Sequence, residues 1–66
     1  DLPESINQYT RAVELYPALA EAYFNRGLVL IYLKDKAKGC IDLSKAGELG
    51  IEEAYPTIKK YCMEDE

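Results

Sequence analysis

The chain has 66 residues, 48% of them hydrophobic and 30% charged, a balance typical of a folded chain rather than a disordered one. This length allows one domain at most, and a core this small usually needs a disulfide, a metal or a partner for stability. The formal net charge is −4 and the eight basic residues are scattered, which argues against nucleic-acid binding because phosphate contacts need clustered Lys or Arg.

The two ends of the chain carry little functional information. No secretory signal is visible, since no apolar stretch follows Asp1, and a start at Asp rather than Met suggests a fragment or a processed product. The acidic sequence EDE at residues 64–66 is predicted to be a solvated tail. Nothing in the chain indicates a compartment.

Four helices are predicted in chain order. The first covers residues 3–16, since Pro3 is tolerated in a first turn, apolar residues recur at helical spacing and Pro17 follows. The second covers residues 19–34. The third covers residues 36–49 and ends at Gly50, a residue suited to a left-handed helix end.

The fourth helix is predicted over about residues 52–62, with Pro56 inside its first turn. No strand pattern is visible, so the predicted class is all-α with antiparallel neighbours. Within the second helix, the stretch YFNRGLVLIYL at residues 23–33 is apolar on two nearly opposite faces. It is too short to span a bilayer, which takes about 20 residues.

A shift of 34 residues aligns the chain with itself, placing RAVEL at residues 11–15 over KAGEL at residues 45–49. This period is that of the tetratricopeptide repeat, and the sequence resembles that family. The family's aromatic, large, glycine and large positions are met by Tyr23, Arg26, Gly27 and Leu30, and its small and bulky positions by Gly39, Leu43 and Ala46. The preceding half-repeat has Ser5, Tyr9, Ala12, Leu15 and Pro17 at the corresponding positions. Arg26 departs from the pattern, because an aliphatic residue is commoner there.

The resemblance implies an α-solenoid of antiparallel helix pairs. Residues 1–17 would be the second helix of a partial repeat, 18–51 one complete repeat, and 52–66 a capping helix with the acidic tail. In this family the first helix of each repeat turns one face toward a concave groove. Carried over to this chain, the partner-binding residues would be Glu21, Phe24, Asn25, Leu28, Ile31 and Tyr32.

Three interpretations of this apolar face remain open: it binds a peptide, it binds a second copy of the chain, or it packs against neighbouring repeats. Asn25 matches an Asn used by family members that grip a terminal carboxylate, but the accompanying basic residues are missing from the matching groove positions. A carboxylate clamp is therefore not expected. The face suits an apolar peptide or helix instead.

The two cysteines lie at similar heights on either side of the Gly50 turn. Cys40 precedes Gly50 by ten residues and Cys62 follows it by twelve, so they would sit roughly 15 and 18 Å from the turn. A disulfide is geometrically allowed. Two separate buried thiols are the favoured interpretation, because free Cys is commonly buried as a small apolar residue.

Catalysis finds little support, since the chain has no His to act as base or metal ligand and no phosphate-binding glycine loop. We expect neither an enzyme nor a cofactor. The sequence predicts a protein–protein interaction module that binds a peptide or protein segment, with no nucleic acid and no membrane span. The alternative is a structural module that forms a homodimer through the same apolar face and its first helix.

Overall fold

A computed structural model describes residues 2–63, which form four helices and no strand. The helices are α1 (Leu2–Leu15), α2 (Ala20–Tyr32), α3 (Lys36–Glu48) and α4 (Ala54–Tyr61). Each packs on the next along the chain, and the pair α2 and α3 shares the largest interface. The predicted all-α, repeat-like fold is confirmed, with helix ends within two residues of those expected. The predicted acidic tail at 64–66 lies outside the described residues, and the division into a partial repeat, a repeat and a cap stays a prediction.

The turn after α3 is closed by Gly50, as the sequence predicted. The Gly50 N–H donates to the carbonyl of Gly47 and the Ile51 N–H donates to that of Ala46, both at 3.0 Å. This pair of bonds is a Schellman motif, which requires a left-handed residue, and Gly50 has φ +114°. The turn ends α3 without strain and directs the chain back into α4.

The turn after α2 has the same bond pattern without a glycine. The Lys34 N–H donates to the carbonyl of Ile31 at 3.0 Å, and the Asp35 N–H donates to that of Leu30 at 2.8 Å. Lys34 therefore occupies the left-handed position, with φ +73°. A side chain with a Cβ is disfavoured there, so this turn stores local strain.

Close approach of α2 and α3 depends on two facing glycines. A Cβ added to Gly27 would lie 2.9 Å from the carbonyl oxygen of Gly39, and one added to Gly39 would lie 2.7 Å from that of Gly27. Around this crossing the core is small, and its buried apolar side chains come from all four helices. They are Val13, Ala22, Leu43, Ala46 and Ala54.

Candidate functional site

The six predicted partner-binding residues all lie on α2 but differ in exposure. Glu21, Asn25 and Tyr32 are exposed, with Tyr32 at 71%. Phe24, Leu28 and Ile31 are half-buried. At about 100° per residue, Glu21, Asn25, Leu28 and Tyr32 fall within an arc of roughly 60° around the helix axis. These four residues, which we call the α2 arc, comprise the three exposed residues of the predicted site and the half-buried Leu28 between them.

Ile31 takes part in the packing of α2 on α3. A Cβ added to Gly39 would lie 2.6 Å from Ile31 Cγ1, so the isoleucine side chain fills the space that this glycine leaves. Leu33, by contrast, is 39% exposed. It follows the last residue of α2, where the chain is already turning.

A concave surface outside the predicted site lies between α1 and α3, with α2 as its floor. This depression has a volume of about 320 Å³ and is lined by Ile6, Thr10, Arg26, Leu30, Lys38, Ile41 and Asp42. Ile41 stands on its rim with 68% of its surface exposed. Sequence reasoning missed this surface because no motif marks it.

The floor of that depression holds an ion pair between α2 and α3. Arg26 Nε donates to Asp42 Oδ2 at 2.7 Å and Nη2 donates to Oδ1 at 2.9 Å, while Nη1 donates to Thr10 Oγ1 at 3.1 Å. One guanidinium thereby connects α1, α2 and α3. Its carbon Cζ also lies 5.7 Å from the centre of the Tyr23 ring, within cation–π range.

The ion pair of Arg26 with Asp42 matters for stability because it is largely buried. Asp42 is 5% exposed, and a carboxylate can be buried so deeply only when it is paired and hydrogen-bonded. The hydrogen bonds to Asp42 raise the pKa of Arg26 above its usual value, against the opposing effect of desolvation. Because its pKa is raised, Arg26 stays charged at every pH below the usual pKa of arginine. Its contribution to stability is therefore constant through the neutral range and is lost only as strongly alkaline pH passes the folded pKa.

A disulfide joins Cys40 in α3 to Cys62 at the C-terminal end of α4. The two Cα atoms are 6.1 Å apart and the bridge spans 22 positions of sequence. The structure thus has the bridged form and not the two buried thiols that the sequence favoured. The antiparallel return of α4 brings the pair to the same height, as the residue count indicated.

Two further properties of residues 2–63 bear on function. No group of three or more His, Cys, Asp or Glu side chains in this range is placed to hold a metal ion. None of the four helices is long and apolar enough to cross a membrane.

Comparison with known families identifies the first half of the chain. A family profile described as TPR repeat matches residues 1–32, the part that contains α1 and α2. Neither the curated proteins nor the solved structures gave a match. Tetratricopeptide repeats generally mediate protein–protein interaction and are typically non-catalytic. Residues 1–32 therefore match a repeat of the tetratricopeptide repeat family.

Proposed function

We propose that the chain is a non-catalytic module that binds a peptide or protein segment through the α2 arc. The observation that carries this proposal is the exposure of Tyr32, 71% accessible beside Asn25 and Glu21. An exposed Tyr supplies a large rigid contact area at low entropic cost, which is why Tyr is enriched at interfaces. The role typical of the family supports the same interpretation.

The chemistry of the arc indicates what it can recognise. The half-buried Leu28 offers an apolar floor, and the Asn25 amide can donate to and accept from a peptide backbone. The Glu21 carboxylate accepts hydrogen bonds and favours a basic group. We therefore expect a segment that places an apolar side chain on Leu28 and a Lys or Arg near Glu21.

Self-association is the second candidate, and a different surface favours it. The end of α1 and the turn that follows it expose three large apolar side chains: Leu15 at 65%, Tyr16 at 65% and Leu19 at 41%. The outward face of α1 is mostly polar and gives less support to pairing through that helix. Its exposed residues include Glu4, Asn7, Gln8, Arg11 and Glu14. A homodimer would accordingly be centred on this turn.

Two tyrosines of similar exposure provide a matched test. A random dodecapeptide library is selected on the full chain, and the best binder is titrated against Tyr32→Ala and Tyr16→Ala. We expect at least a tenfold loss of affinity for Tyr32→Ala and little change for Tyr16→Ala, because only Tyr32 belongs to the arc. Equal affinity of both variants and the wild type would remove the arc as the binding surface.

Light scattering over a concentration series distinguishes the second candidate. A monomer at all concentrations supports ligand binding, whereas a dimer that Tyr16→Ala dissociates supports assembly through the turn. The double variant Phe24→Asp with Leu28→Asp is expected to abolish peptide binding. Both side chains are half-buried, so its helicity must be checked by circular dichroism before the loss is assigned to the surface.

A further inference from the structure

The face of α3 beneath α4 is closely matched to the helix that covers it. Ala54 at the start of α4 is fully buried, and α3 is the helix on which α4 packs. Gly47 leaves room for the Tyr55 ring, since a Cβ on this glycine would lie 2.8 Å from Tyr55 Cζ. Small residues on both helices thus allow α4 to sit directly on α3.

The helix α4 has little to hold it there by itself. It has eight residues, and isolated helices shorter than about 12–15 residues are marginal in water. Ala54 is its one buried residue, while Thr57 and Ile58 are half-buried. The helix is therefore fixed chiefly at its two ends, by the Gly50 turn and by the disulfide at Cys62.

We propose that the face of α3 that carries Gly47, which the Tyr55 ring covers, is a docking site for an amphipathic helix of a partner protein, and that the Cys40–Cys62 disulfide closes this site by holding α4 on it. Both cysteines are half-buried, so a small dithiol can reach the bridge. This site is separate from the α2 arc and does not depend on it.

Opening requires a two-electron reduction by a dithiol. One thiolate of the reductant attacks a cysteine sulfur, and the Sγ–Sγ bond breaks. The second thiolate then closes the reductant's own disulfide, and Cys40 and Cys62 leave as two protonated thiols. Removing a link that closes a loop of this size makes the open form of α4 more populated by on the order of 100-fold.

The helix now seated on α3 defines the partner. A flat aromatic ring must cover Gly47, as Tyr55 does, and the residue before it must be small enough to be fully buried, as Ala54 is. After reduction α4 still competes from within the same chain. A partner helix prevails if it buries more apolar surface than α4, which buries one residue completely.

Hydrogen exchange of the full chain tests the gating step. In the oxidised protein we expect α4 amides to be protected. In the reduced protein and in Cys40→Ser with Cys62→Ser, α4 amides should exchange about 100-fold faster than before and faster than those of α2. Equal protection of α4 and α2 after reduction would overturn the gating, because α4 would then not open separately.

Disulfide trapping tests the docking step. The full chain carrying Cys62→Ser is equilibrated in a glutathione redox buffer with a peptide of residues 50–63, whose own Cys62 can bond to Cys40. A control peptide with Ala54→Glu has the same thiol but cannot pack on α3, because Ala54 is fully buried. We expect at least tenfold more covalent complex with the native peptide. Equal yields from the two peptides would overturn the docking site.

Discussion

The ion pair of Arg26 with Asp42 allows a sharp test of what holds the three helices α1, α2 and α3 together. The side chains are 18% and 8% exposed, so solvent screens their interaction little. Replacing Asp42 by Leu leaves the guanidinium without its counter-charge in a mostly buried site. The surviving hydrogen bond goes to the uncharged hydroxyl of Thr10, which does not compensate the charge of the guanidinium.

Breaking one side of a buried pair costs about 3–5 kcal/mol, and we expect about 3 kcal/mol here because Arg26 keeps some contact with water. A chain of 66 residues has a total stability of about 3–10 kcal/mol, so Asp42→Leu should remove between about a third and all of it. Replacing both residues, as Arg26→Met with Asp42→Leu, removes both charges together. That double variant should lie within about 1 kcal/mol of the wild type.

Urea unfolding followed by circular dichroism gives the free energies for a double-mutant cycle. The predicted coupling energy is at least about 2 kcal/mol, since the double variant should recover most of the loss caused by Asp42→Leu. The reasoning is refuted if Asp42→Leu loses less than about 1 kcal/mol, or if the double variant is as unstable as the sum of the two single variants.

Three further predictions concern the backbone and the bridge. Thiol titration of the denatured, unreduced protein should find no free thiol, and Cys40→Ser with Cys62→Ser should lower the free energy of unfolding by about 3 kcal/mol; two free thiols would contradict the bridge. Lys34→Gly should stabilise the chain by about 0.5 kcal/mol, because glycine adopts the left-handed conformation without the cost that lysine has. Gly50→Ala should destabilise the chain by about 1 kcal/mol for the converse reason. A lower melting temperature for Lys34→Gly and a higher one for Gly50→Ala would refute the turn assignments. Gly27→Ala should cost about 2 kcal/mol, since its methyl group meets the backbone of α3, and an unchanged melting temperature would show that the helices can separate freely.

The helices could be predicted from sequence because their signals are local. Pro17 ends the first helix and Gly50 ends the third, and the structure places helix ends beside both. The 34-residue period added the order in which the helices pack. Lys34 could not be foreseen as a left-handed residue, because nothing in its side chain favours that conformation.

The ion pair on the floor of the depression was missed because it is set by tertiary structure. Arg26 stood out as a departure from the family pattern, but its partner is sixteen residues away on another helix. A charged residue at a position where the family usually has an aliphatic one indicates an opposite charge on a neighbouring helix. Asp42 lies on the same side of α3 as Leu43 and Ala46.

The different exposure of the six residues on the apolar face of α2 could not be predicted from the sequence either. The sequence assigned six residues to one surface, yet Phe24, Leu28 and Ile31 are half-buried while Tyr32 is exposed. The difference arises because the Gly27 and Gly39 crossing brings α3 close enough to cover one edge of that face. Helical spacing gives the direction of a side chain but not the distance of its neighbour.

The most direct test of the proposed function is the mapping of backbone amide shifts by NMR as the library-selected peptide is titrated into the full chain. Binding through the α2 arc predicts that the largest shifts cluster at Glu21, Asn25, Leu28 and Tyr32. Shifts that concentrate instead around Ile41 in the depression, or around Tyr16 in the turn, would contradict the account and place the binding surface elsewhere.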